Sequence, residues 1–369
     1  MLFSEIIGQE GIKNALVKGH YQNHVAHAQL LIGKSGGAGL SLALAYATFI
    51  NCYDKKENDA CGKCASCHKF SKLIHPDLHF IFPTAATKEL KEREDFLQPF
   101  RNFCLEKPFG TLNDWSSFFG AEDKQLNIPV SESRYISKIL SMKPYDKGYK
   151  ILILWLPEMM RAAAANALLK GLEEPPAKTL FLLVSENAEQ ILMTIWSRCQ
   201  PMRIPPYQEA DVEHFLVTRG VSQEKAREIA PIAEGNFSEA LRLASSDDNN
   251  RQEWLREWLR ICFKNNVAEL IAWGEKFQAL GKEEQKNLLR YGLHIFRNAL
   301  AIQMQADNTV RMDMQTKTFA QNFAKVLTLQ NTEVFLKLFD EAYFHIERNA
   351  NVKILFLDLS LQMAKWLKR

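Results

Sequence analysis

The amino-acid sequence predicts an α/β amino-terminal part followed by an all-helical remainder. Two observations predict this. Apolar runs with the length of buried strands alternate with helical patterns, at residues 30–32, 78–82, 149–156, 180–184 and 202–204. Such alternation is typical of a parallel sheet built from βαβ units. Beyond the proline pair at 205–206, apolar residues recur only at helical spacing.

Three domains are predicted from the breaks in this pattern, in keeping with a length of 369 residues. The α/β part occupies residues 1–205 and includes a cysteine-rich module at about residues 52–67. Short amphipathic helices fill residues 206–246, and the polar run SSDDNN at 245–250 is predicted to be a linker. Residues 250–369 are predicted to be a helical bundle, because their apolar residues form stripes.

The turn after the first strand has the form of a phosphate-binding loop. Its glycines are Gly33, Gly36, Gly37 and Gly39. They join an apolar strand to a buried, alanine-rich helix, an arrangement that presents backbone N–H groups to phosphate. A working loop also needs a lysine on the terminal phosphates and a hydroxyl on Mg²⁺. Lys34 and Ser35 stand too early in the turn, so the loop is predicted to keep its shape and to lack its charge.

Four of the seven cysteines are clustered, and they are Cys52, Cys61, Cys64 and Cys67. In a chain without a secretion signal, such clustering favours metal over disulfides. Four thiolates at this spacing close a tetrahedral structural zinc site with no open position for catalysis. The alternatives are a loop of free thiols, or His68 as a substitute ligand, which is disfavoured because it adjoins Cys67.

The charge and hydropathy of the sequence do not point to a nucleic-acid-binding protein, and they argue against membrane-spanning and secreted proteins. The net charge of +3 and the pI of about 8.3 are too mild to argue for nucleic-acid binding alone. The longest apolar runs fall short of the 18 residues of a membrane span, and the first ten residues lack a signal-peptide pattern. We therefore expect a cytoplasmic protein without a membrane partner.

Residues 84–130 combine charges with many aromatic side chains. Basic and aromatic residues together can stack nucleic-acid bases, but acidic residues are interleaved here, so core packing is the favoured interpretation. His75 and His79 nearby are candidate ligands or catalytic groups. The favoured alternative for both is a structural role in a turn and at a strand edge.

Five motifs then appear together and in order: FSEIIGQ at 3–9, the glycine loop, the cysteine module, ANALLKGLEEPP at 165–176 and SRC at 197–199. This set resembles the clamp-loader AAA+ family of bacterial DNA polymerase III, and within it the delta-prime group. The last two motifs are specific, whereas the glycine loop alone would not be. The resemblance covers residues 1 to about 246, and beyond them only the helical character matches.

The resemblance implies an architecture and a role. It implies a RecA-like AAA+ core with a zinc-binding insertion, a small helical lid and a helical collar that forms a pentamer. The implied partners are gamma/tau-type ATPases and delta, together with a sliding clamp that the complex loads onto primed DNA during DNA replication. The chain is then expected to contact DNA through the complex.

The resemblance also implies a decayed ATP site. Laid on ATP-using relatives, Gly39 falls on the lysine, Leu40 on the hydroxyl, Trp155 and Leu156 on the Mg²⁺ and water-orienting acids, and Ser238 on a phosphate-sensing arginine. We therefore expect no ATP hydrolysis by the chain alone, and weak or no nucleotide binding through the loop amides.

Arg198, in the SRC motif, matches an arginine finger that acts on the ATP of a neighbouring subunit. A structural arginine paired with a local carboxylate is the alternative.

Two rival functions stay open at this point. One is an active AAA+ ATPase with an unorthodox loop that uses Lys34 or Glu158. The other is a DNA-binding zinc module, against which stands the mixed charge of the helices.

Overall fold

The computed structural model describes residues 1–245, 248–304, 314–348 and 350–367. The chain divides into two compact units, one of Met1–Phe215 with Glu234–Glu239, the other of Leu216–Ala233 with Ala240–Arg369. Among the described residues, no helix is long and apolar enough to cross a membrane. The domain limits drawn from the sequence, at 205, 246 and 250, stay predictions.

A five-stranded parallel sheet forms the centre of the first unit, in the order β2-β3-β4-β1-β5. Its strands are β1 (Ala28–Ile32), β2 (Leu78–Ile81), β3 (Lys150–Trp155), β4 (Thr179–Ser185) and β5 (Gln200–Arg203). The predicted α/β class and all five predicted strands are confirmed. β1, β3 and β4 are nearly continuous apolar runs because helices cover both faces of a parallel sheet.

The register brings the ends of three strands to one edge of the sheet. Ile32 of β1 pairs with Ser185 of β4, and Trp155 of β3 pairs with Val184. The loops that follow β1, β3 and β4 therefore leave the sheet side by side. In open parallel sheets this carboxyl edge is where ligands bind.

The helices of the first unit surround this sheet. They are α1 (Glu10–Tyr21), α2 (Gly39–Ile50), α3 (Ala65–Ser71), α4 (Arg93–Glu106), α5 (Leu112–Phe118), α6 (Glu132–Ser141), α7 (Ala162–Glu173), α8 (Met193–Trp196) and α9 (Glu209–Val217). Every residue of α2 is buried, as its apolar, alanine-rich sequence predicts. A serine before a helical stripe predicts a capping hydrogen bond at Ser131. Ser131 precedes α6 but makes no such bond, so this prediction is wrong.

Residues 84–130 pack as a satellite core rather than as a base-stacking surface. Phe100, Phe103 and Trp115 are fully buried. The Phe100 ring stacks on Phe82 at 3.8 Å between centroids and meets the Trp115 ring edge-on at 5.2 Å. The indole N–H of Trp115 donates to the Pro83 carbonyl at 2.8 Å. The core-packing interpretation of these aromatics is confirmed.

The remaining helices form or join the second unit. They are α10 (Gln223–Ala233), α11 (Phe237–Ser245), α12 (Asp248–Lys264), α13 (Val267–Ala279), α14 (Lys282–Gln303), α15 (Met314–Val326), α16 (Leu329–Glu347) and α17 (Val352–Leu367). Their stripes meet in one core around Trp258, Phe339 and Phe356. Phe263, predicted to join the α12 stripe, is 56% exposed. In the predicted linker, residues 246 and 247 lie outside the described residues.

Candidate functional site

The glycine loop lies at the carboxyl edge of the sheet, between β1 and α2. Gly36 has φ of +69°, a conformation that glycine adopts without strain. The Gly37 N–H donates to the Lys34 carbonyl at 3.1 Å, which closes the turn. The Lys34 side chain is exposed. The predicted strand–loop–helix unit is therefore present.

Packing leaves little room for a side chain at position 39. A Cβ atom built on Gly39 would lie 2.9 Å from Val184 Cγ1 and 3.8 Å from Ile204. Real Cβ contacts are longer than the first of these distances, so any larger residue would displace β4 or α2. The close approach of Val184 thus favours glycine at position 39.

The end of β3 carries no carboxylate. Trp155 is buried, with its ring 5.7 Å from those of Phe100 and Phe103. Leu156 follows with φ of +58°, a conformation that is costly for a branched side chain. The Trp155 side chain therefore places an apolar group beside the glycine loop.

Two glutamates nevertheless lie close to the loop. Glu158 Oε1 accepts hydrogen bonds from the amides of Glu186 and Asn187 at 2.9 and 3.1 Å, and burial raises the pKa of Glu158. Burial also raises the pKa of Glu186 to about 7, partly opposed by a hydrogen bond from Ser35. Glu158 thus braces the turn after β4, and Glu186 lines the loop.

The space that remains above the loop is small. A cavity of about 20 Å³ is lined by Gly36, Gly37, Pro108, Trp155 and Glu186, among others. That volume holds a water molecule or two. Its wall contains the carboxyl group of Glu186 and the indole of Trp155, together with Lys34, whose side chain is exposed.

The predicted zinc ligands come together at a second place in the first unit. The Sγ atoms of Cys52, Cys61, Cys64 and Cys67 all lie within 4.8 Å of one another. Cys61 Sγ and Cys67 Sγ are 3.9 Å apart, close to the spacing of about 3.8 Å in a tetrahedron with Zn–S bonds of about 2.3 Å. The sulfur positions therefore fit a four-thiolate zinc ion.

Backbone amides around these sulfurs stabilise thiolates. The Cys61 amide donates to Cys52 Sγ at 3.2 Å and the Cys64 amide to Cys61 Sγ at 3.3 Å. Amide hydrogen bonds from Lys63 and Cys64 lower the pKa of Cys61 to about 6, while burial raises the pKa of Cys52. A metal ion would replace the remaining protons.

The histidines singled out in the sequence have structural partners. His75 is buried and stacks on Phe70 at 4.5 Å, and its Nδ1 accepts the Asp77 amide at 3.2 Å. His79 Nδ1 lies 3.1 Å from the Tyr135 hydroxyl, and burial lowers the pKa of His79 to about 4. His68 is exposed and outside the sulfur cluster.

Arg198 lies in the turn before β5. Its guanidinium forms an ion pair with Glu173 of the LEEPP motif at 2.5 Å and donates to the Thr194 carbonyl at 2.9 Å. The side chain remains 33% exposed. Cys199 beside it is buried. The two specific sequence motifs are thus joined by one ion pair.

Several residues at the loop were not predicted from the sequence. Glu186, Asn236, and Pro108 with Asp114 come from three separate segments, and their approach to the loop depends on long-range packing. The sequence did offer a signal for Asn236: it follows Gly235 directly before a helical pattern, and Asn is favoured where a helix begins.

Comparison with known proteins identifies the family. The family model described as "DNA polymerase III, delta subunit" matches residues 8–208, more than half of the chain. This chain belongs to that family. DNA polymerase III subunit delta' of Bacillus subtilis is 27% identical over 227 residues, which are 62% of this chain and 56% of that protein. The recognition of a delta'-type clamp-loader subunit is confirmed.

Other proteins of DNA polymerase III are also similar to this family member. DNA polymerase III subunit tau/gamma of Haemophilus influenzae is 25% identical over 247 residues, 65% of this chain and 30% of that protein. A gamma subunit-related protein of Thermotoga maritima aligns over 97% of this chain and 99% of that one, with 15% identity and a TM-score of 0.35. The chain spans about a third to a half of the length of the two sequence relatives named here.

Proposed function

We propose that this chain is a non-hydrolysing, delta'-type subunit of a clamp-loader complex that places a sliding clamp on primed DNA. Its partners are gamma/tau-type ATPases and delta in a pentamer. Family membership supports a place in the clamp-loader complex of DNA polymerase III. The proposed location is the cytoplasm. On this proposal the first unit contains the RecA-like AAA+ core, residues 206–246 are the lid and residues 250–369 the collar.

One observation carries the non-hydrolysing part of the proposal: Gly39, Leu40, Trp155 and Leu156 offer no cation, hydroxyl or carboxylate at the glycine loop, and Lys34, which lines the cavity, has an exposed side chain. Such transfer needs a cation on the phosphates, a Mg²⁺ carboxylate and a group that orients water. Gly39 has no room for a side chain, and Trp155 and Leu156 supply none of these groups. Glu186 adds a carboxyl where negative phosphates would lie.

The proposed contribution of the chain to catalysis is Arg198, acting on ATP bound by the neighbouring subunit. A guanidinium can place planar, bidentate positive charge on a γ-phosphate. Arg198 is one-third exposed and anchored by Glu173, which supports an outward role in an assembled complex. The same ion pair also supports the structural alternative, and Arg198→Ala beside Glu173→Gln separates the two roles.

The proposed zinc ion has a structural role. Four thiolates leave no open coordination position, so the ion would stabilise the loop between α2 and α3 rather than act on a substrate. The carboxylate of Asp59 in this loop accepts the Phe3 and Ser4 amides at 3.0 and 2.9 Å. Metal binding would therefore also order the amino terminus.

The rival proposal is an active ATPase that uses Lys34 or Glu158. The amides that donate to Glu158 Oε1 disfavour it as a general base. The test is ATP turnover by the purified chain, with and without primed DNA, beside Lys34→Ala and Glu158→Gln. We expect no turnover in any sample. Turnover in the wild-type chain that either substitution abolishes would establish the rival.

A further inference from the structure

The segment between α4 and α5 lies on the glycine loop. The Ser41 hydroxyl of α2 donates to the Pro108 carbonyl at 2.7 Å, and Pro108 and Gly110 line the small cavity above the loop. A Cβ atom on Gly110 would lie 2.4 Å from the Phe103 ring, so only glycine allows this close turn. Residues 107–114 thus occupy space at the mouth of the loop.

Residues 234–239 cover the loop from another direction. A Cβ atom on Gly36 would lie 1.8 Å from Asn236 Oδ1, which shows how closely the asparagine side chain is seated on the turn. The Phe237 amide donates to the Gly36 carbonyl at 3.1 Å. Asn236 Oδ1 also accepts the Glu239 amide at 2.9 Å and caps α11. The start of α11 is therefore built onto the glycine loop.

A hydrogen bond joins these two covering segments. The Ser238 hydroxyl donates to Asp114 Oδ2 at 2.6 Å. The Thr111 amide and hydroxyl donate to the same oxygen at 2.8 and 2.7 Å. Burial alone would raise the pKa of Asp114, but these hydrogen bonds and the charge of Lys107 hold that pKa below its usual range. The bond from Ser238 is thus made to a carboxylate, the stronger kind of acceptor.

Aromatic packing reinforces the join. The Phe237 ring lies between Tyr207 and Phe215, with centroids at 3.8 and 3.9 Å. The Phe109 ring meets Phe237 edge-on at 5.0 Å. Phe237, Tyr207 and Phe109 are all buried. The covering segments are therefore held by apolar burial as well as by the Ser238–Asp114 bond.

We propose that the occupant of the glycine loop is the chain itself: residues 107–114 plug the loop, and the Asp114–Ser238 hydrogen bond latches residues 234–239 over it. The plug closes the loop to nucleotides, and the latch fixes the start of α11 without any ligand. This assigns a role to the segment between α4 and α5. The inference goes beyond the clamp-loading role and stands or falls separately from it.

The latch is tested by hydrogen exchange of the full-length chain. Ser238→Ala should speed exchange of amides in residues 33–42 and 236–239 by about tenfold or more, the effect expected for losing a hydrogen bond to a charged group. Ser245→Ala is the matched control, because its hydroxyl donates to the Arg242 carbonyl one turn back in the same helix. Unchanged exchange in residues 33–42 in Ser238→Ala would overturn the latch.

The plug is tested with Mg-ATP at millimolar concentration in the same measurement. In the wild-type chain, ATP should leave exchange in residues 33–42 unchanged. Saturable protection of these amides by ATP would overturn the plug, whatever the chain does in a clamp loader. Asp114→Asn provides a second variant that keeps the size of the side chain, and it should loosen residues 236–239 in the same way as Ser238→Ala.

Discussion

At the scale of single residues, the cysteines carry the clearest link from sequence to structure. Their spacing predicts a tetrahedral site, and the four sulfurs lie within 4.8 Å of one another. That prediction depends only on local chain geometry, because three of the cysteines fall within seven residues. By contrast, Asp114 and Ser238 are 124 residues apart, and no local sequence pattern predicts their contact.

Removing two zinc ligands should remove the metal and destabilise the chain. Cys61→Ser with Cys67→Ser is expected to abolish zinc binding and to lower the free energy of unfolding by at least about 2 kcal/mol, because metal-binding energy is folding energy. Elemental analysis and thermal unfolding measure the two effects. Cys104→Ala is the control, since Cys104 is buried outside the cluster, and it should retain one zinc. Metal-free wild-type protein, purified without chelator, would refute the site.

At the scale of elements, the strand, glycine loop and helix follow from apolar patterning, because the buried runs of β1 and α2 differ from the loop between them in composition. What fills the loop could not be predicted in this way. Pro108 reaches Ser41 across 67 residues and Glu158 reaches the Glu186 amide across 28. These contacts arise from tertiary packing, which the period of one element does not encode.

Glu186 in this loop should make stability depend on pH. Its folded pKa of about 7 exceeds the ordinary value of 4.5. Well below about pH 4.5, Glu186 is protonated in both the folded and the unfolded chain, so it does not lower the stability there. As pH rises, the unfolded state loses its proton first, and the loss of stability is complete above about pH 7.

Glu186→Gln removes this loss. Between about pH 5 and pH 8, the free energy of unfolding of the variant should therefore rise by roughly 1–2 kcal/mol relative to the wild type. This figure is smaller than the pKa difference alone implies, because solvent screens the charge. Denaturant unfolding at the two pH values measures it. Glu189→Gln, at an exposed position in the same turn, is the control and should show no such gain. If the difference in free energy of unfolding between Glu186→Gln and the wild type became smaller as pH rises, the raised pKa of Glu186 would be contradicted.

At the scale of the whole molecule, the second unit is the proposed assembly surface. Its helices bury one core, yet Met304 and Ile354 are each 67% exposed and Phe344 is 45% exposed. Aromatic residues and methionine are enriched at protein interfaces. Periodicity predicted the helices well, but helical stripes cannot distinguish residues that face a core from residues that face a partner, as Phe263 shows.

Deleting residues 250–369 should abolish assembly and leave the first unit folded. The truncated chain is expected to keep its zinc, which reports that the cysteine module is intact, and to elute separately from gamma/tau-type and delta subunits in size-exclusion chromatography. Co-elution of the truncated chain with those subunits would show that assembly resides elsewhere.

On our proposal, the chain has no working ATP site and acts on a neighbour's ATP through Arg198. The most direct measurement is ATP hydrolysis and clamp loading by a complex rebuilt with Arg198→Ala. Arginine fingers contribute about 10³–10⁵ in rate elsewhere, so hydrolysis at the facing site should nearly cease while folding and assembly stay normal.

Glu173→Gln is the matched variant for this measurement, because it removes the ion pair of Arg198 and keeps the guanidinium. The account predicts that a complex with Glu173→Gln retains most of its ATP hydrolysis and clamp loading, whereas one with Arg198→Ala loses both. Wild-type rates with Arg198→Ala, or the same loss of thermal stability and assembly in both variants, would contradict it.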